Sequence, residues 1–363
     1  MKSKITVFGS TKDEIHIGCK ALSNGLDNLI RKSFGENVLI QHISHRYLSQ
    51  HFNDALMTVN KTTVRKNFFK KQEQFCVAKD RSYDMWLEGV KALSEKDTFL
   101  KLTLLNSDIV TINVEGTIHH NSLLGHQMLA IGAFAVQLGK PVYWTNVSVE
   151  SENEAILKHA FRGAKKIAVR EQRSFDYLKT MGVNPTLAFD TAVSATFLND
   201  NEVLDNNLPK EPFCLFTGSN VKNIDLIEQA RVISSFDLIP LYLPLGLNDY
   251  NDLKQLQEEN IACLDYGDVS FSQILAVIDK AKFVVSGRHH LNILSLLAAK
   301  PFIAHKSNTW KIEGVLELLD YEYNFNLDME SQISYLLSNY TFLQTKLSSK
   351  IEKAKKMALN TFD

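Results

Sequence analysis

The chain has 363 residues, of which 45% are hydrophobic and 22% are charged, with 40 Lys and Arg against 41 Asp and Glu. This length favours two domains, and the apolar content supports packed cores, which excludes disordered and fibrous proteins. The net charge of −1 provides no broad positive field, so nucleic acid is not an expected partner. Every apolar run is shorter than the roughly 18 residues of a spanning helix, and we expect a cytoplasmic protein.

Strand-like and helix-like segments alternate through the first half of the chain. Short runs of β-branched and aromatic residues predict strands at Ile5–Phe8, Val38–His42, Ile109–Asn113, Val142–Thr145, Lys166–Val169 and Thr186–Phe189. Most of the segments between them have helical periodicity. This alternation predicts a parallel sheet covered by helices.

A polar, loop-like stretch at Ala195–Pro212 separates this half from a second series of strands and predicts domains of residues 1–198 and 199–363. The second series comprises Phe213–Thr217, Leu238–Leu243, Ile261–Leu264, Phe283–Ser286 and Phe302–His305. The segment Ile333–Thr361 predicts one or two amphipathic helices, and packing of the last helix on the first domain is one option. Two open α/β sheets bind ligands at the carboxyl ends of their strands, so we expect the domains to face a central cleft.

The strongest local motif follows the predicted strand that ends at Ser286 and Gly287. It places Arg288, His289 and His290 before an apolar helix at Leu291–Ala299. Cationic side chains at a helix N-terminus predict an anion site, and a His there can exchange a proton near neutral pH. The alternative is that Arg288 pairs with a structural carboxylate while the histidines cap the helix.

Two further groups of polar residues follow strands in the first half. Arg170 closes one strand and precedes Glu171 and Ser174, so it is expected at the cleft; the alternative is a surface ion pair between Arg170 and Glu171. The other group follows Asn113 and consists of Glu115, Gly116, Thr117, His119, His120 and Asn121. Its histidines could supply donors or a general base, and the alternative is an ordinary surface loop.

The run from Val284 to Leu319 resembles the C-terminal signature of polysaccharide pyruvyl transferases, with Arg288, His290, Pro301 and Lys311 on the family pattern. Residues 167–192 resemble the family's unit of strand, Arg-Asp/Glu-x-x-Ser, helix, Leu-x-x-x-Gly-Val, strand and Asp-x-Ala, with Arg170, Ser174 and Asp190 on the pattern. The residues around Gly18 are similar to the family's Asn-x-Gly-Asp opening, but His16 and Cys19 stand in place of Asn and Asp. As an alternative, Gly18 only permits a tight entry into a helix.

The resemblance implies two Rossmann-like domains in a GT-B-like architecture. It also implies transfer of an enolpyruvyl group from phosphoenolpyruvate to a sugar of a bacterial capsule or exopolysaccharide, or of its lipid-linked precursor, to form a pyruvate ketal. The implied catalytic residues are His290, His119, His120 and Arg288, and which histidine is the acid stays open. The implied donor-binding residues are Arg170, Arg288, Ser307, Asn308, Thr309 and Lys311. Gly18, Glu115, Gly116, Thr117 and Asn121 are assigned to the acceptor or to loops.

This scheme needs no cofactor besides phosphoenolpyruvate as co-substrate, and no Cys or His spacing predicts a metal site. A basic patch of Lys61, Arg65, Lys66, Lys70 and Lys71 would suit peripheral contact with anionic lipid, or else a solvated helix face. One alternative function is a GT-B-type glycosyltransferase with a sialyl- or Kdo-like nucleotide-sugar donor. Another is a non-catalytic carbohydrate-binding assembly protein.

Overall fold

The structure, a computed structural model, describes residues 3–44, 82–150, 152–197, 208–219, 224–246, 249–264 and 269–363. The basic patch predicted between Lys61 and Lys71 lies outside these residues. None of the described helices is long and apolar enough to cross a membrane.

The chain forms two compact units that each draw on separated segments. Unit 1 comprises Met1–Lys12, Leu29–Phe189 and Leu359–Asp363, and unit 2 comprises Asp13–Asn28 and Asp190–Ala358. This division lies before the split expected at 198/199, and it places residues 13–28 in unit 2. The reason is tertiary: Thr191 Oγ1 donates to the Leu22 carbonyl (3.0 Å), and a side chain on Gly25 would collide with the Thr191 carbonyl. Amino-acid composition indicates where a polar linker lies, but it does not indicate which sheet a segment such as residues 13–28 packs against.

Unit 1 is built on a parallel sheet. Its strands are β1 (Lys4–Ser10), β2 (Leu39–Ser44), β3 (Ile109–Asn113), β5 (Val142–Val147), β7 (Lys166–Val169) and β8 (Thr186–Leu187), in the order β2-β1-β3-β5-β7-β8. Two short strands, β4 (Ile118–His119) and β6 (Val149–Glu150), form a separate parallel pair. Its helices are α2 (Tyr83–Lys96), α3 (Thr98–Leu105), α4 (Leu123–Gln137), α5 (Glu154–Phe161) and α6 (Gln172–Thr180), while α1 (Ile17–Phe34) contributes residues to both units.

The core of unit 1 lies between its central strands and helix α4. Trp144 of β5 is fully buried, and its ring packs so close to Gly132 that a Cβ there would lie 2.1 Å from a ring carbon. Phe161 meets the same indole edge-on, with ring centroids 5.0 Å apart. Ser122 caps α4 by accepting the Gly125 N–H at 3.0 Å. Burial of these apolar residues supplies the main driving force for folding of the unit.

Unit 2 repeats the parallel α/β arrangement. Its strands are β9 (Phe213–Ser219), β10 (Ile239–Tyr242), β11 (Ala262–Cys263), β12 (Val284–Gly287) and β13 (Phe302–Ala304), in the order β11-β10-β9-β12-β13. Its helices are α7 (Leu226–Ser234), α8 (Tyr250–Glu258), α9 (Ile274–Lys280), α10 (His289–Leu297), α11 (Lys311–Leu319), α12 (Met329–Ser338) and α13 (Tyr340–Leu359). Strand β12 lies between β9 and β13 and is buried at every residue.

The predicted fold class is confirmed in its α/β parallel-sheet content. Each strand predicted from the sequence corresponds to a sheet strand, and Ile109–Asn113 and Lys166–Val169 have the predicted bounds. The C-terminal segment forms two helices, α12 and α13. The pair β4 and β6 was not predicted.

Candidate active site

Strand β12 delivers its last residues to the first turn of helix α10. Gly287 pairs with Ser219 of β9, and a Cβ at Gly287 would lie 2.3 Å from the Ser219 Cβ, so only glycine fits there. The next residue, Arg288, donates its backbone N–H to Ser286 Oγ (2.9 Å) and is the N-cap of α10 without a side-chain cap bond. A helix N-terminus therefore follows a central strand, where open α/β sheets place ligands.

Arg288 forms a salt bridge with Asp249. The two side chains are 11% and 1% exposed. The second carboxylate oxygen of Asp249 accepts the backbone N–H groups of Leu245 (2.8 Å) and Gly246 (3.1 Å). The structure thus shows the carboxylate pairing that was the alternative for Arg288. This pairing fixes the guanidinium of Arg288 at the start of α10. The guanidinium has five N–H donors, which is more than one carboxylate oxygen can accept.

His289 and His290 both lie beside one buried carboxylate, that of Asp190. Asp190 Oδ2 lies 3.2 Å from His289 Nε2 and 3.7 Å from His290 Nε2. Asp190 is fully buried and also accepts the Ala192 N–H at 3.0 Å. A fixed carboxylate of this kind orients an imidazole and stabilises the imidazolium that forms when the ring takes a proton.

The start of helix α1 completes the surroundings of His290. The Gly18 backbone approaches so closely that a Cβ there would lie 2.4 Å from the His290 Cβ, and the His16 ring meets the His290 ring at 6.4 Å between centroids. Burial lowers the pKa of His16 to about 3, helped by the charges of His290 and Arg288. His16 is therefore neutral at pH 7, and because its Nδ1 accepts the Gly18 N–H (3.1 Å), its proton lies on Nε2.

The same region brings together residues that can bind a metal. His16, Cys19 and His290 each offer one ligand atom, and these atoms lie within 4.8 Å of one another; Asp190, His289 and His290 form a second such group. The sequence predicted no metal site because the members of each group come from distant parts of the chain.

The predicted donor loop after β13 forms its own hydrogen-bonded group. Asn308 Oδ1 accepts from Lys311 Nζ (2.9 Å) and from Ser307 Oγ (3.1 Å). The next residue after Asn308, Thr309, is buried. Lys311 is the first residue of α11. The structure therefore brings Ser307, Asn308 and Lys311 together, as their short spacing suggests.

In unit 1 the structure brings Arg170 to Gly116. A Cβ on Gly116, whose φ is 70°, would lie 2.5 Å from a guanidinium nitrogen of Arg170. Glu171 caps α6 through the Ser174 N–H (3.0 Å), and burial raises its pKa against the opposing effects of Ser174 and Arg170. Arg170 and Glu171 are 1% and 0% exposed, so the alternative of a surface ion pair is wrong.

The other predicted residues of unit 1 lie in the loop around β4. The Nδ1 atoms of His119 and His120 are 3.1 Å apart. Thr117 Oγ1 donates to the Val114 carbonyl (2.7 Å), and Asn121 Oδ1 accepts the Asn153 N–H (3.1 Å), so both side chains hold the loop. Glu115 begins the turn with a φ of 45°.

Sequence reasoning gave no site role to Asp249, His289, His16 or Cys19. The pairs Arg288–Asp249 and His289–Asp190 join residues 39 and 99 positions apart. His16 and Cys19 were noted as departures from a family pattern, and that departure was the one available signal.

Solved structures with the same fold include nucleotide-sugar enzymes. A putative UDP-N-acetylglucosamine 2-epimerase from Listeria monocytogenes is 14% identical with a TM-score of 0.59, over 99% of this chain and 94% of its own. UDP-GlcNAc 2-epimerase from Neisseria meningitidis is 11% identical with a TM-score of 0.57, over 99% of both chains. UGT2 of Phytolacca americana is 11% identical with a TM-score of 0.51, over 99% of this chain and 97% of its own. These likenesses confirm the expected GT-B-like fold class.

Among curated proteins no significant match is found. A family model for polysaccharide pyruvyl transferase matches residues 16–305, which include Gly18, Arg170, Asp190, Arg288 and His290. Because this match covers more than half of the chain, the protein belongs to the polysaccharide pyruvyl transferase family.

Proposed function

We propose that this protein transfers an enolpyruvyl group from phosphoenolpyruvate to a sugar and closes it to a pyruvate ketal. The observation that carries the proposal is the first turn of α10, where Arg288 stands beside two histidines. Asp190 lies 3.2 Å from the ring of His289 and 3.7 Å from the ring of His290. This arrangement pairs a fixed cation with proton-exchanging groups, as an anionic donor and an acid–base reaction require. Family membership supports the transferred group.

In the proposed reaction, a proton is added to the methylene carbon of phosphoenolpyruvate, and a sugar hydroxyl loses its proton as its oxygen bonds to C2. Phosphate then leaves with the electrons of the C2–O bond, and a second hydroxyl bonds to C2 while losing its proton. We assign proton exchange to His290, whose Nε2 lies 3.7 Å from the Asp190 carboxylate. His119 and His120 remain candidates for the partner acid or base.

The donor carries a phosphate and a carboxylate, which need several preorganised cations. Arg288 serves both Asp249 and the donor in this proposal, because one guanidinium has five N–H donors. Lys311, held by Asn308, is the other donor-binding residue of unit 2 that we propose. Arg170 of unit 1, held against Gly116, stays a predicted donor-binding residue. The reaction needs no metal or further cofactor, and a lipid-linked sugar is a suitable acceptor.

A second candidate function is glycosyl transfer from a nucleotide sugar. It is favoured by the fold likeness to an enzyme solved with bound UDP-GlcNAc and to UGT2 solved with a UDP-fluoroglucose. The proposed cationic side chains could also bind the diphosphate group of a nucleoside diphosphate sugar.

A melting experiment separates the two functions, because a ligand that binds only the native state raises the melting temperature. Phosphoenolpyruvate should raise it, by an amount equivalent to about 2.7 kcal/mol at one hundred times its Kd, while CMP- and UDP-sugars should not. Arg288→Lys should reduce the shift, and the exposed Arg231→Lys should keep it. A shift caused only by a nucleotide sugar would favour glycosyl transfer.

A further inference from the structure

Three side chains with metal-binding atoms meet where helix α1 begins. His16 and Cys19 lie on either side of Gly18, and His290 lies in the first turn of α10. One ligand atom from each lies within 4.8 Å of the others. Imidazole nitrogen and thiolate sulfur are the ligands that Zn²⁺ prefers, and three of them with one open position form a common zinc geometry.

The backbone around Gly18 explains why these side chains converge. A Cβ at Gly18 would lie 2.7 Å from His290 Nδ1, so the absence of a side chain lets α1 reach the ring. The Ile17 N–H donates to the Leu245 carbonyl (3.2 Å), and the Lys20 N–H donates to the His16 carbonyl (3.1 Å). The helix start is thus anchored at the position that brings His16 and Cys19 to His290.

A buried carboxylate, Asp190, lies near the proposed ligand His290. Its Oδ2 lies 3.7 Å from His290 Nε2, on the opposite side of the ring from the Nδ1 that faces Gly18. This separation is longer than a hydrogen bond, so Asp190 acts on the ring of His290 through its negative charge, which favours a cation nearby.

We propose that His16, Cys19 and His290 form a binding site for one soft divalent cation of the Zn²⁺ class, and that its occupancy inhibits the enzyme. The ion takes a lone pair of His290 that proton transfer requires, and it adds positive charge beside Arg288. The inhibitory part rests on the proposed function, whereas the binding part does not.

Binding is tested with Co²⁺ alone added to the metal-free protein, because a cobalt–thiolate bond gives a charge-transfer absorption band. We expect one Co²⁺ per chain, this band, and loss of both when excess Zn²⁺ displaces the ion. Cys19→Ser should abolish the band and weaken binding at least about tenfold, and His16→Asn should weaken binding similarly. Cys263→Ser is the matched control, since this half-buried thiol of unit 2 donates to the Ile261 carbonyl. Absence of the band in the wild type, its survival in Cys19→Ser, or its loss in Cys263→Ser would overturn the site.

Inhibition is tested by measuring pyruvyl transfer with and without Zn²⁺. The wild type and Cys263→Ser should lose turnover at low Zn²⁺ and regain it in chelator, while Cys19→Ser should tolerate at least about tenfold more Zn²⁺. Equal Zn²⁺ sensitivity of Cys19→Ser and wild type would refute inhibition through this site. If the chelated wild type has no transfer activity, the proposed function and the inhibition both fail, and the cobalt band alone decides the binding site.

Discussion

The salt bridge between Arg288 and Asp249 should be a principal support of the candidate site, and Asp249→Asn tests it. Asp249 is 1% exposed and accepts hydrogen bonds from Arg288 and from the backbone of Leu245 and Gly246. The substitution keeps the side-chain shape but removes the negative charge. It also replaces one carboxylate oxygen, an acceptor, by an amide NH₂, a donor. This NH₂ would face either the guanidinium of Arg288 or the backbone N–H groups of Leu245 and Gly246.

Removal of one partner from a buried ion pair typically costs about 3–5 kcal/mol, because the remaining charge stays buried without compensation. We expect a loss in this range for local opening of unit 2. Hydrogen-exchange mass spectrometry on peptides covering α8 and α10 measures that free energy directly. Asp252→Asn is the matched control on the same helix: Asp252 makes a long hydrogen bond of 3.4 Å to Tyr242 and should contribute about 1 kcal/mol or less. If Asp249→Asn lowers the free energy of local opening by less than about 1 kcal/mol, the ion pair contributes little to the stability of unit 2.

Three further predictions concern chemistry and pH. His290→Ala should lower kcat by about 10²- to 10⁴-fold while the melting shift with phosphoenolpyruvate persists; near-normal turnover would move the acid–base role to another group. Arg288→Lys should weaken phosphoenolpyruvate binding about tenfold, because a lysine lacks the guanidinium fork, and an unchanged affinity in a melting titration would contradict this. Burial lowers the pKa of His305 to about 4. As the pH falls, His305 is therefore protonated in the unfolded chain before it is protonated in the folded one. The free energy of unfolding should drop between about pH 6.5 and 4 for this reason. The contribution is at most about 3 kcal/mol, and His305→Asn should flatten the decline in urea unfolding across this pH range; an unchanged slope would contradict it.

The candidate site illustrates how far local sequence carries. The strand–Ser–Gly–Arg–His–His pattern is enough to place Arg288 and His290 at a helix N-terminus after a buried strand, because hydrophobic run, glycine and helical periodicity are all local signals. The same pattern left two options for Arg288, donor or structural partner. The structure supplies the partner, Asp249, without removing the first option.

By itself the sequence determined the alternation of strands and helices, the presence of two parallel sheets and the family pattern around Arg288, since these depend on neighbouring residues. Only the tertiary structure decided that residues 13–28 belong with unit 2, that Asp190 lies beside both histidines, and that His16 and Cys19 meet His290. These contacts join residues far apart in the chain. Local propensity sets the end of a strand or helix, but the packing of whole elements against one another selects which distant side chains meet there.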